Sequence, residues 1–94
     1  MKIEKLYYFL SVAKHKNFTR ASKECHIAQP AISKQMLSLE KELGFALFYR
    51  KNHKVELTPA GQEFYSSVCH FIAEYEASVQ RAQQLPKEDE HGDR

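Results

Sequence analysis

Apolar side chains recur at helical spacing from the first residues of the chain: Ile3, Leu6, Tyr7, Leu10 and Ala13 lie on one side, Phe9 and Val12 widen the stripe, and no Gly or Pro interrupts it. Such a stripe predicts a first helix with one buried face. Residues 15–18 break the pattern. Thr19 then suits the N-cap of a short second helix over residues 20–24, ending near Cys25, because its hydroxyl can accept from a backbone NH that has no partner within the helix. A turn through His26, Ile27 and Ala28 leads to Pro30, which a first helical turn tolerates since the NH it lacks would be unpaired there. The third helix runs to about Leu43, where Gly44 can take positive φ and end it. On a wheel of 100° per residue, Ile32, Met36, Leu39 and Leu43 form its buried face. Pro30, Ser33, Lys34, Leu37 and Lys41 form the opposite one, with Gln29 at the N-terminal end.

Beyond Gly44 the period shifts toward alternation. Leu47, Phe48 and Tyr49 suit a strand, Val55 and Leu57 its return, and Arg50, Lys51, Asn52, His53 and Lys54 fill the tip, so the hairpin carries three cations. Thr58 is placed to cap a further helix with Pro59 at its first position, and helical spacing continues to about Leu85. That helix would extend ~40 Å, with Phe64, Val68, Phe71, Ile72, Tyr75, Val79, Ala82 and Leu85 along one stripe. A core of this size is too small to cover it, so a second copy of the chain is the expected partner, with Phe64, Val68, Phe71, Ile72, Tyr75, Val79 and Ala82 as the dimerisation residues. The predicted fold is therefore mainly α: a winged helix-turn-helix of three helices and a two-stranded wing over residues 1–58, followed by a long dimerisation helix over 59–85. The charged residues 86–94 lack apolar anchors and are expected to be disordered.

Composition narrows the function. Ninety-four residues, 43% of them apolar, suit one modest core. The net charge of +2 conceals an uneven distribution: residues 1–60 hold nine Lys and two Arg against five Glu, or +6, and residues 61–94 hold three basic and seven acidic groups, or −4. A compact body of +6 attracts phosphate. No apolar run approaches the roughly 20 residues of a membrane span and the N-terminus has no signal-peptide core, so a soluble cytoplasmic chain with no membrane partner is expected. Cys25 and Cys69 are each followed by His, but adjacent residues are not the usual spacing of zinc ligands, so reduced, partly buried helical thiols are expected, with no metal and no cofactor. Five scattered His and the lack of a Gly-rich phosphate loop or nucleophile motif speak against an enzyme.

The chemistry of the third helix fits double-stranded DNA. Gln29 can pair bidentately with adenine, Ser33 can donate to a base or phosphate, Lys34 suits guanine or a phosphate, and Leu37 can meet a thymine methyl or a packing partner. Thr19 and Arg20 sit where a helix N-terminus can hold a phosphate. Arg50, Lys51 and Lys54 can reach a minor groove or its flanking phosphates. Singly, Ser33, Lys34 and Lys41 can equally be ordinary solvated side chains, and Thr19 and Thr58 are more often only helix caps; the polar face, the turn before it and the basic wing together fall on one side of the predicted fold. The competing reading keeps the winged scaffold as a protein-interaction module that works through the apolar face of the long helix.

Asn17-Phe18-Thr19-Arg20-Ala21-Ser22, Gln29-Pro30-Ala31-Ile32-Ser33-Lys34-Gln35-Met36 and Leu39-Glu40-Lys41-Glu42-Leu43-Gly44 resemble the helix-turn-helix signature of the LysR-type transcription regulators. Leu47-Phe48-Tyr49-Arg50 resembles that family's wing and Leu57-Thr58-Pro59-Ala60-Gly61 the start of its linker helix, so the resemblance runs from residue 3 to about 85. It implies a dimer paired through the linker helix that sets two recognition helices on an interrupted dyad. By position it implies DNA contacts from Thr19, Arg20, Gln29, Pro30, Ser33 and Lys34, and from Arg50 in the wing. Ala28 departs from the Ser or Thr usual before Gln-Pro, removing a cap worth ~1 kcal/mol. Lys34 stands where Arg is common, replacing a bidentate fork with a point charge. Family members normally continue into a domain that binds a small co-inducer, so this chain is expected to be either a DNA-binding fragment, the favoured reading, or a short natural relative, in both cases without a small-molecule ligand of its own.

Overall fold

The computed structural model describes residues 1–51 and 54–87. Three helices, α1 (Ile3–His15), α2 (Phe18–Cys25) and α3 (Gln29–Leu43), precede an antiparallel hairpin of β1 (Phe48–Lys51) and β2 (Lys54–Leu57), and α4 (Pro59–Gln83) follows. This is the winged helix-turn-helix with a long appended helix. The long helix draws the molecule out to 55 × 27 × 21 Å.

Phe9 is fully buried at the centre, its ring 5.6 Å from that of Phe48 and 5.3 Å from that of Phe64. One residue of α1 thus ties the wing and α4 together. Leu6 and Val12 from α1, Ala21 from α2, Ile32, Met36 and Leu39 from α3, and Leu47 and Val55 from the hairpin complete the same cluster. Leu43, expected on the buried face of α3, is only half-buried because it lies in the last turn.

The α2 cap differs from expectation. Asn17, not Thr19, occupies the N-cap in extended conformation, and its Oδ1 accepts from the Arg20 NH at 2.8 Å. Asn caps at least as well as Thr, and starting the helix two residues earlier folds Phe18 inward, its ring 6.3 Å from that of Phe48. Thr19 becomes a first-turn residue. The turn into α3 is made by His26, in the left-handed region at φ 59°, with its NH directed to the carbonyls of Ser22 and Lys23. Ala28 caps α3 without a side-chain hydrogen bond, and Gly44 ends it at φ 86°. The strands also reach further than expected: Arg50, Lys51 and Lys54 belong to them. Between the strands stand only Asn52 and His53, which lie outside the described residues, as do residues 88–94 and so most of the tail expected to be disordered.

Glu24 joins α1 to α2. Its carboxylate accepts from Ser11 Oγ at 2.5 Å, Lys14 Nζ at 3.1 Å and lies 3.0 Å from His15 Nε2. The Ser11 hydrogen bond, followed by those of Lys14 and His15, holds its pKa down from 4.5 to about 2. A carboxyl lowered in the folded state contributes stability above its unfolded pKa and loses it as pH falls through the folded one. Melting temperature should therefore fall more steeply for the native chain than for Glu24→Gln between pH 4.5 and 2. Parallel curves in a pH series of thermal melts would contradict the assignment.

At the start of α4, Thr58 caps with its Oγ1, accepting from the Gly61 NH at 2.9 Å and donating to the Ala46 carbonyl at 2.7 Å. The Thr58 NH donates to the Leu47 carbonyl at 2.9 Å. The backbone entering the wing and the first turn of α4 are thus stitched together at Gly61, where a Cβ would sit 2.1 Å from the Leu47 oxygen.

The long helix has two regimes. Val68 and Ile72, expected in the dimerisation stripe, are buried within the chain itself at 4% and 6% exposure, and Phe64 is half-buried against Phe9 and Phe45. The reason is that α1 covers the first half of α4, an arrangement held also by Tyr7 Oη donating to Glu76 at 2.8 Å. Further along, Phe71 at 54% exposure, Tyr75, Val79, Ala82 and Leu85 stand exposed. The helix ends at Gln83, so Leu85 lies just past it.

Candidate nucleic-acid interface

Three elements converge beside the N-terminus of α3. Asn17, Phe18 and Thr19 from the start of α2, Gln29 and Ser33 from α3, and Arg50, Lys54 and Val55 from the hairpin line one open cleft of about 380 Å³. Of the residues expected to contact DNA, Thr19, Gln29, Ser33, Arg50 and Lys54 are brought together there. Pro30, Lys34, Leu37 and Lys41 form the exposed crest of α3 beside it, and Leu37 is 55% exposed among the polar groups. Arg20 is exposed on α2, outside the cleft lining.

The hairpin register separates its cations. Phe48 pairs with Leu57 and Arg50 with Val55, so these four share one face, while Tyr49, Glu56, Lys51 and Lys54 share the other. Arg50 consequently points toward the body. Its guanidinium lies 3.1 Å from Glu40 Oε1 and 5.7 Å and 6.0 Å from the ring centroids of Phe18 and Phe48. It remains one-third exposed, so it both braces the wing and offers an edge to the cleft. Lys51 and Lys54 oppose each other at the outer end of the hairpin, and both are exposed.

Glu40 is the residue that sequence reasoning passed over. Its side chain is 11% exposed, and Oε2 accepts from the NH groups of Leu47 at 2.6 Å and Phe48 at 3.2 Å while Oε1 faces Arg50. One carboxylate thus fixes the wing to the recognition helix. A signal existed: Glu40 lies about 80° from Ile32 on the helical wheel, at the border of the buried face, where a charge needs a partner. Asn17 and Phe18 were also missed as cleft residues.

Elsewhere, Cys25 and Cys69 are half-buried free thiols on the groove between α1, α2 and α4 that Tyr7, Tyr8 and Tyr65 line. Among the described residues no three His, Cys, Asp or Glu side chains gather as a metal cluster. No described helix is long and apolar enough to cross a membrane.

The family model of the bacterial regulatory helix-turn-helix proteins of the lysR family matches residues 3–62. The chain belongs to the LysR family. Among curated LysR-family relatives, the HTH-type transcriptional regulator BudR of Klebsiella aerogenes is 40% identical over 87 residues, covering 93% of this chain and 61% of BudR. The Hca operon transcriptional activator HcaR of Escherichia coli is 37% identical over 89 residues, covering 95% of this chain and 30% of HcaR. The LysR-family chain therefore spans less than two thirds of these relatives. Solved structures agree on the fold. A crystal structure of a CbnR DBD–DNA complex superposes with a TM-score of 0.83 at 35% identity, covering 88% of this chain and 95% of that one. A BenM DBD complex with benA DNA superposes with a TM-score of 0.87 at 32% identity, covering 92% of this chain and all of that one.

Proposed function

We propose that this chain is the sequence-specific, double-stranded-DNA-binding domain of a LysR-type transcription regulator, working in the bacterial cytoplasm as a dimer on an interrupted dyad, and that it catalyses no reaction. The observation that carries the reading is the cleft in which Thr19, Gln29, Ser33, Arg50 and Lys54 meet beside the exposed crest of α3. Residues 1–58 hold DNA and residues 59–85 pair with a second copy. Gln29, Ser33 and Lys34 read base edges and nearby phosphates in the major groove. Thr19 and Arg20 hold the backbone at the start of α2. Lys51 and Lys54 carry the wing to the flanking minor groove, with Arg50 supporting it. Because Val68 and Ile72 are taken by the core, the dimer face reduces to Phe71, Tyr75, Val79 and Ala82. The regulators BudR and HcaR, and the DNA complexes of the CbnR and BenM domains, support the same reading by kinship.

Selection of bound sites from random duplex, followed by affinity measurements across a salt series, tests this. Binding should weaken steeply with salt as phosphate contacts release counterions; absence of binding at low salt, or indifference to salt, would refute it. On the selected site, Gln29→Ala should lose roughly 1–3 kcal/mol of discrimination at one base position. Lys54→Ala should weaken binding to all sequences alike and reduce the salt slope by about 1. Equal loss of base preference in both variants would contradict this division of labour.

A further inference from the structure

The crest of α3 has an open cleft on each flank. One is the cleft facing the wing; the other, of about 520 Å³, lies between α3 and the N-terminus of α1, with Met1, Lys2, Lys5, Lys34, Ser38 and Glu42 in its lining. Its charges are not balanced. Lys5 is committed, donating to Ser38 Oγ at 2.9 Å and Glu42 Oε2 at 3.0 Å. That pair uses the lining's one carboxylate. Lys2 and Lys34 form no ion pair among the described residues, so the cleft presents two cations to solvent.

A helix with its side chains is about 10–12 Å across and the major groove about 12 Å wide. A helix seated there brings both flanks against sugar-phosphate walls. Resting on the DNA-binding reading above, we propose that the cleft between α1 and α3 is a second backbone clamp, in which Lys2 and Lys34 hold a phosphate of the strand opposite the one gripped from the wing side. The recognition helix is then held from both sides, and residues ahead of the helix-turn-helix belong to the DNA surface. Lys5 is a positioning residue, fixing the start of α1 against α3 through Ser38 and Glu42.

The test uses the 94-residue chain on its selected duplex. Lys2 is exposed and precedes α1 without a side-chain cap bond, so Lys2→Gln should leave folding intact. It should weaken binding about 3- to 10-fold at moderate salt and lower the slope of log affinity against log salt by about 0.9, the release expected for one phosphate. Lys2→Arg should restore both. Phosphate ethylation interference supplies the readout of place: one phosphate whose ethylation blocks the native chain should cease to matter for Lys2→Gln, on the strand opposite that affected by Lys54→Ala. An unchanged slope and ethylation pattern in Lys2→Gln, with Lys54→Ala still impaired, would overturn the clamp alone. Failure of the native chain to bind any duplex would overturn the DNA reading itself, and the clamp with it.

Discussion

Gly61→Ala is expected to destabilise the chain by about 3 kcal/mol, lowering the melting temperature by roughly 10–20 °C for a domain of this size. Helix propensity alone predicts the reverse, a gain of about 1 kcal/mol on replacing Gly by Ala, so the sign of the effect is diagnostic. The new Cβ would sit 2.1 Å from the Leu47 oxygen and 3.0 Å from its carbonyl carbon. That carbonyl has little room to retreat. It accepts from the Thr58 NH at 2.9 Å, the Leu47 NH donates to Glu40 at 2.6 Å, and the Leu47 side chain is fully buried. Thermal and urea unfolding of the two proteins would decide the matter, and a raised melting temperature would mean that the wing backbone does not press on α4 as described.

Glu40→Ala should cost about 2–4 kcal/mol, the range for removing charged hydrogen bonds and leaving part-buried donors unpaired. Most of the loss should come from the Leu47 and Phe48 NH groups. The Arg50 contribution is expected to be smaller, because that side chain is one-third exposed and solvent screens the pair. A double-mutant cycle with Arg50→Ala separates the two, with a coupling energy under about 1 kcal/mol expected. Glu40→Gln keeps one acceptor and should lose about half as much as Glu40→Ala. A Glu40→Ala variant within about 0.5 kcal/mol of the native chain, the usual range of surface substitutions, would show that the wing does not depend on this carboxylate.

These two residues mark where sequence reasoning stops. The helices were legible because their stripes are long, and the Gly44 and Thr58 boundaries because each residue has one strong conformational role. The start of α2 was misread since Asn17 and Thr19 can both cap, and the choice depends on where Phe18 is buried. Arg50 illustrates a different limit. A cation in a short hairpin reads naturally as a solvent-facing tip, and only the pairing with Val55 turns it toward Glu40 and the rings of Phe18 and Phe48. The stripe of α4 was visible along its whole length, but periodicity cannot say which side chains a neighbouring element takes. Here α1 takes Val68 and Ile72 and leaves Phe71, Tyr75 and Val79. The candidate DNA residues were nominated by chemistry and kinship, whereas the two clefts flanking α3 depend on tertiary placement.

The division of α4 also has a mechanical meaning. Its first half is clamped to the body through Phe64, Val68 and Ile72, with Glu76 still tied to α1 through Tyr7, and roughly two further turns project beyond that as a lever of about 10 Å. In the proposed dimer, a second copy joined at the lever's far end would inherit its direction from the clamp, and the packing at Val68 and Ile72 would act as a surveyor's instrument for the gap between half-sites. Conservative reshaping there, such as Ile72→Val, would then alter the angle of the lever before any group proposed to touch DNA, and the preferred operator spacing would become a property written in the hydrophobic core.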